Sequence, residues 1–402
     1  MLSKYKTYPL GNFIEQIRGV SYKKSDVSEV PKEGYIPLLR ANNIQAGKLV
    51  FSDVIYVKKE LVRDSQLIKK GDIVIAASSG SKEVVGKSGQ AHSDYDCSFG
   101  AFCKLIRAKE NINPRFLGYF FKTDYYSSSI SNSVNGANIN NLRNEHIDNL
   151  LIPIPSVSTQ EKIANVLDKA QELIDKRKAQ IEALDQLTQS VFLEMFGDPI
   201  KNTNQYKKEK LANLCIKITD GTHHSPPTVK EGIPYITAKH LNKGGLDFFK
   251  DPTYVSLEDH QKIYERCNPE KGDVLYIKDG ATTGIAAINH YDFEFSMLSS
   301  LALIKVDFNK LNNYYLTHFL NNERVFRKIT SGMNGGAIKR LTLKKINNIE
   351  VVVPPIELQN QFAEIIKKIE IQKELLQKSL EELENNFNSL MQRAFKGELF
   401  ND

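Results

Sequence analysis

The 402-residue sequence has no apolar run long enough to cross a bilayer; its most hydrophobic stretches are short, such as Ile73-Val74-Ile75-Ala76-Ala77. The opening MLSKYKTYPLGNF carries no hydrophobic h-region, so neither a signal peptide nor a membrane partner is expected. Cysteine is scarce. Cys97, Cys103, Cys215 and Cys267 are scattered, with no CxxC and no paired-histidine spacing. We expect reduced, mostly buried thiols in a cytoplasmic protein and no zinc site. No nuclease-like carboxylate cluster and no Ser/His/Asp arrangement stands out. These absences argue against an enzyme and leave binding or assembly.

What is present is a duplication. In the stretch from Pro155 to Phe196, Ile163, Leu167, Ala170, Ile174, Arg177, Ile181, Leu184, Thr188, Val191 and Met195 follow one another in alternating steps of four and three. That is the seam of a coiled coil. Adding 199 to each number gives Phe362, Ile366, Ile369, Lys373, Leu376, Leu380, Leu383, Phe387, Leu390 and Ala394, nine of them apolar. Each helix should run about 40 residues, or about 60 Å. A helix of that length with one apolar stripe needs a partner, and its own copy is the obvious one. Ile163, Leu167, Ile174, Ile181, Leu184, Val191, Phe362, Ile366, Leu376, Leu380, Leu383 and Leu390 are the expected pairing residues.

The repeat extends over the whole chain. Gly34 to Ile44 matches Gly232 to Leu241. Lys70-Gly71-Asp72-Ile73 matches Lys271-Gly272-Asp273-Val274, a tight turn feeding a buried strand. A strand over Ala101–Ile106 is set against Leu301–Val306, and an aromatic-rich helix over Pro114–Tyr126 against Tyr314–Phe326. A Gly/Asn loop then leads to a last strand and the long helix. The spacing predicts two similar globular domains of mixed α/β (α+β) type, residues 1–153 and 200–353. Long helices over 154–199 and 354–402 follow them and pair as an antiparallel coiled coil with pseudo-two-fold symmetry.

The net charge of +6 is unevenly spread. Residues 1–152 carry 21 Lys+Arg against 15 Asp+Glu, and residues 200–353 carry 22 against 16, so each is +6. Residues 153–199 carry 5 against 8 and residues 354–402 carry 6 against 9, so each is −3. Basic globular parts point to a polyanion partner, and acidic helices would repel phosphate and face protein.

Three local patterns mislead. Gly80-Ser81-Lys82-Glu83-Val84-Val85-Gly86-Lys87-Ser88 resembles a P-loop, but five residues separate the glycines where four are needed. Ser225-Pro226-Pro227-Thr228 brushes an amino-methyltransferase motif, with Thr228 where an aromatic belongs. His223-His224 has no third metal ligand at useful spacing.

The full layout resembles the specificity subunit of type I restriction-modification systems. The local phrases that carry the resemblance are Ile154-Pro155-x4-Gln160-x2-Ile163-Ala164 with Phe196-Gly197-Asp198-Pro199, Pro354-Pro355-x3-Gln359-x2-Phe362-Ala363, and Ala394-Phe395-Lys396-Gly397-Glu398-Leu399. The resemblance implies two target-recognition domains, each reading one half of a split target in double-stranded DNA. It implies that the paired helices act as a ruler and dock two methyltransferase (modification) subunits, which use S-adenosylmethionine. Restriction subunits using ATP and Mg would join that core, and this chain would bind no cofactor and carry no catalytic residue. About 60 Å of helix spans at most about 15–18 base pairs of B-DNA.

Base edges are read by Arg, Lys, Asn, Gln, Ser or Thr on exposed loops. The candidates are Arg40, Asn42, Asn43, Ser79, Ser81, Lys82, Asn138, Asn140 and Arg143 in the first module. In the second they are Thr222, His223, Lys239, His240, Lys278, Thr282, Lys339 and Arg340. The rival reading is a coiled-coil scaffold with two protein-binding modules and no DNA role.

Overall fold

A computed structural model describes residues 3–81, 83–134, 141–331 and 340–400. The chain divides into two compact units, and the division cuts both long helices in the middle. One unit holds residues 1–178 and 378–402, the other residues 179–377. Each unit therefore contains one globular module, the first half of the helix that follows it, and the second half of the other helix. In each unit the two half-helices run antiparallel.

In the first unit a six-stranded sheet has the order Ile14–Arg18, Cys103–Ala108, Ile73–Ala76, Ser88–Gln90, Lys48–Leu49, Ile44–Gln45. A four-stranded sheet built around Tyr35–Leu39 and Ile55–Lys58 stands beside it. In the second unit the corresponding sheet has four strands, Cys215–Asp220, Leu301–Val306, Val274–Ile277 and Ala286–Ile288. The strands Ile73–Ala76 and Val274–Ile277 are buried at every residue, as an apolar run in a central strand must be. The turn before each strand explains its Lys-Gly-Asp phrase. Gly71 and Gly272 take φ of 89° and 95°, a left-handed conformation that other residues adopt at a cost. Asp72 accepts the Lys69 N–H at 2.7 Å and pairs with Arg107 at 2.6 Å. Asp273 accepts the Glu270 N–H at 2.8 Å and pairs with Lys305 at 2.8 Å.

Two expectations are corrected here. The strand equivalent to Leu301–Val306 is Cys103–Ala108, not 101–106. Apolar residues fill both stretches, so composition does not fix the register; the sheet does. Cys103 and Leu301 each follow a turn in which their N–H bonds back three residues, to Gly100 and Leu298. The aromatic helix is also two helices in each module, Pro114–Phe120 then Asp124–Val134, and Asn313–Asn321 then Glu323–Ser331. Thr123 Oγ1 accepts the Tyr126 N–H, and Asn322 Oδ1 accepts the Arg324 N–H. Each begins a new helix by capping its free amides.

The long helices run Val157–Phe196 and Ile356–Lys396. None of the ten seam positions in either helix is exposed. In the first unit Ile163, Leu167 and Ile174 share a core with Phe387, Met391, Ala394 and Phe395. In the second, Phe192 and Phe196 share one with Phe362, Ile366 and Ile369. Lys373, the charged residue in the second seam, pairs with Asp185, and Lys178 pairs with Glu384 at 2.7 Å. The two glutamines of the repeated helix-start phrase are fully buried. Gln160 Oε1 accepts the Asn113 N–H and its amide donates to the Pro155 carbonyl, at 2.8 and 2.9 Å. Gln359 does the same with Asn312 and Pro354, both at 2.8 Å. Each thereby locks a long helix onto the cap of its module's own helix.

Phe395 is fully buried, with its ring centroid 4.9 Å from that of Phe116. Phe395→Ala should therefore cost about 3–5 kcal/mol. Leu173→Ala, at a site half exposed on the first long helix, should stay within about 0.5 kcal/mol. Urea unfolding of the two variants checks this contrast.

Candidate nucleic-acid interface

Both modules present polar loops at one corner, where the second strand of the Lys-Gly-Asp turn ends and its neighbours begin. In the first module Ala77 and Ser78 donate their N–H groups to the Phe102 carbonyl, and Leu142 donates to the Ala77 carbonyl. Ser78 bridges to Asn141, and Val20 to Gly100. Residues from four separate stretches thus meet at one place. In the second module Lys278 donates to the Ser300 carbonyl, Leu341 donates to the Lys278 carbonyl, Asp279 bridges to Arg340, and Thr222 to Leu298. Gly19 and Gly221 are required in this construction. A Cβ on Gly19 would lie 2.1 Å from the Gly100 oxygen, and one on Gly221 would lie 2.0 Å from the Met297 oxygen.

The first module's corner opens into a groove of about 440 Å³ lined by Gln16, Arg18, Lys104, Asn141, Arg143 and Asn144, among others. Lys104 Nζ donates to Asn144 Oδ1 at 2.6 Å, and burial lowers its pKa. Arg143 lies exposed, 3.3 Å from Glu145. Arg18 is exposed and has no ion pair among the described residues. Beside them Phe102 stands 68% exposed. Cations, amides and an open aromatic ring are what a base- and phosphate-contacting surface needs.

The sequence candidates divide into four groups. Ser79, Ser81, Arg143, Thr222, His223, Thr282 and Arg340 lie on the corner loops, with Ser79 Oγ accepting the Ser81 N–H and Thr222 Oγ1 donating to the His224 carbonyl. Arg340 also pairs with Asp279 at 3.2 Å. Lys82, Asn138, Asn140 and Lys339 lie outside the described residues.

Arg40 and Asn42 in the first module, and Lys239 in the second, sit on the turns Ala41–Asn43 and Ala238–His240 or just before them, each tied to an acid. Arg40 and Asn42 reach Asp53 at 3.5 and 3.0 Å, and Lys239 reaches Asp251 at 2.9 Å.

The last group, Asn43, His240 and Lys278, is corrected from base contact to framework, since all three are buried. Asn43 Oδ1 accepts the Arg40 N–H, and its amide donates to the Val50 and Ser52 carbonyls. His240 copies this, with Nδ1 accepting the Thr237 N–H at 3.0 Å and Nε2 facing the Asp251 carbonyl at 2.9 Å. Lys278 lies 3.2 Å from Asp220, each side chain 3% exposed.

Arg18, Lys104 and Phe102 escaped the sequence reading. Aligning the two crowded glycines, Gly19 with Gly221, is the signal that points to Arg18. The P-loop likeness fails structurally as well: Gly86 and Lys87 donate their N–H groups to Ala76 and Val84, so they are spent inside the protein. Among the described residues no group of three or more His, Cys, Asp or Glu could hold a metal ion, and no helix is long and apolar enough to cross a membrane.

His240 supplies a pH test. Burial lowers its pKa, against the opposing pull of the Asp251 carbonyl. A proton on Nδ1 would confront the Thr237 N–H. A histidine with a depressed folded pKa favours the fold above its unfolded value of about 6.5 and loses that contribution as pH falls below it. The second unit should thus lose urea resistance as the pH falls through and below about 6.5. His240→Asn, which installs the first module's solution, should flatten that loss. The slope that remains belongs to groups such as His318, pushed down to about 4 by burial.

Known proteins resemble this chain over most of its length. The model of the type I restriction modification DNA specificity domain matches twice, over residues 3–184 and 205–385. The chain is 30% identical to the specificity subunit of the type I restriction enzyme EcoKI of Escherichia coli (strain K12), over 97% of this chain and 88% of that protein. It is 29% identical to the StySPI specificity subunit of Salmonella potsdam, over 98% and 89%. In fold it is similar to the S subunit of a type I restriction-modification system from M. genitalium, with a TM-score of 0.58 at 17% identity, covering 98% of this chain and 96% of that one. A chain from a structure of type I restriction-modification complex assembly gives a TM-score of 0.55 at 19% identity, covering 99% and 100%.

Proposed function

Because the chain belongs to the type I restriction-modification DNA specificity family, we propose that it recognises a bipartite DNA target, one half with each module, and leaves the chemistry to its partners. The observation that carries this is the duplicated corner. One backbone framework appears in both modules, and the polar side chains mounted on it differ. Two like scaffolds with unlike polar surfaces suit two unlike half-sites in one duplex.

In this reading the basic modules meet phosphate and bases, and the acidic helices face protein. Two modification subunits dock on the helices and bring S-adenosylmethionine, and restriction subunits bring ATP and Mg. This chain itself holds no cofactor and cuts or methylates nothing. The length of paired helix sets the gap between half-sites.

Long-read methylome sequencing of a host that co-expresses the chain with its modification subunit tests the proposal. A single split motif with two unlike halves is expected. Replacing residues 1–153 by those of another family member should change one half of the motif and leave the other and the spacer as they were. A stable complex that methylates no split motif would favour a scaffold instead.

A further inference from the structure

The two corners invert a charge at one framework position. Arg18 faces Lys104 across its strand pair, and Asp220 faces Ala302. Each stands immediately before the crowded glycine, Gly19 or Gly221, and the next residue makes the same parallel bridge in both modules. Arg18 and Asp220 are therefore equivalent. So are Ala77 and Lys278, because their carbonyls accept the matching Leu142 and Leu341 amides, both at 2.7 Å. The first module thus has Arg and Ala where the second has Asp and Lys.

The Asp220 side chain is 3% exposed, yet two cationic side chains, Lys278 and Arg266, and the His223 imidazole converge on it. Lys278 approaches from inside at 3.2 Å and is itself buried. Arg266, at the C-terminal end of the Leu257–Arg266 helix, reaches Asp220 Oδ1 with one nitrogen at 2.6 Å and is 54% exposed. His223 approaches Oδ2 at 3.4 Å and is 47% exposed. The inner lysine already balances the carboxylate, so the two outer groups are not needed to neutralise it. A guanidinium has five N–H donors, and the bond from Arg266 to Asp220 Oδ1 uses one nitrogen. A buried carboxylate holding a half-exposed arginine at a fixed angle is a device for aiming it. The planar donor pair of arginine fits the O6 and N7 acceptors of guanine in the major groove.

We propose that Asp220 is a positioning residue that presents Arg266 and His223 to the bases of the second half-site, and that Arg18 occupies the matching base-reading place in the first module. The first module delivers its cation directly from the strand end. The second delivers it from a helix, by way of a carboxylate. Both cations serve the same corner of the same framework. This rests on the reading of the protein as a DNA-specificity subunit.

The test uses the assembled complex with its modification subunits, assayed for methyl transfer to duplexes carrying the motif or single-base changes of it. Arg266→Ala should reduce discrimination at one G·C pair of the second half by on the order of 10- to 100-fold and leave the first half intact. Arg18→Ala should relax a position of the first half alone. Asp220→Asn combined with Lys278→Met removes the buried pair without stranding a charge. It should relax the same second-half position as Arg266→Ala while the complex still assembles. Uniform weakening on every duplex, with discrimination kept, would make Arg266 a phosphate contact and overturn the assignment. Relaxation by Arg266→Ala but not by the double variant would overturn the positioning role of Asp220. A wild-type complex with no split motif would sink the underlying reading, an outcome distinct from a split motif that Arg266→Ala leaves unchanged.

Discussion

Neither module completes its own core. Each long helix lends its first half to the module before it and its second half to the other unit, so each core closes only when a segment from the far end of a helix arrives. Phe196 and Phe395 show what depends on this. Phe395 packs on Phe116 in the first unit, and Phe196 packs on Tyr315 and Phe362 in the second, with ring centroids 4.8 to 5.2 Å apart. An amphipathic helix of 40 residues cannot persist with its stripe in water. Within each unit the stripe is covered by the other half-helix and by aromatic rings of the module. The buried glutamines Gln160 and Gln359 fix where each helix starts relative to its module.

On that base the duplicated framework is rigid and repetitive. The Gly-Asp turn, the ion pair from its Asp to the neighbouring strand, the side-chain cap made by Asn43 or His240 and the crowded Gly19 or Gly221 recur in both modules. These are packing and hydrogen-bonding solutions, and packing tolerates little change. A corner loop carries no such burden, so its side chains are free to differ. Divergence has reached the point of inverting a charge between Arg18 and Asp220 on one backbone. The Leu257–Arg266 helix belongs to this divergence, since the first module has only short 3-10 turns, Lys59–Leu61 and Asp64–Gln66, after its Ile55–Lys58 strand.

The division between what is uniform and what differs also explains how a specificity subunit can set a target. Specificity needs a few oriented donors, and orientation needs a support that does not move. Lys278 illustrates the cost of such support. It is a basic residue in a basic module, yet it lies inside, balancing Asp220. Apolar residues of the same volume often serve stability as well as a buried pair of this kind.

The sequence by itself determined the module–helix–module–helix plan, the two helix seams and their ends, the Lys-Gly-Asp turns and the family. Those features are local or periodic: a heptad seam follows from helix geometry, and a tight turn from a glycine and the residue beside it. Tertiary structure alone decided the register of Cys103–Ala108, because an apolar run reads alike when slid by two. It also split the aromatic helix at Thr123 and Asn322, where a cap competes with continuation. It alone settled which polar residues face out. Asn43, His240 and Lys278 read in sequence like Arg143 or His223, but partners distant along the chain draw them inside. The same long-range contacts brought Arg18 and Arg266 into view. Whether a polar side chain supports or reads depends on what lies across from it, and only the folded chain puts anything there.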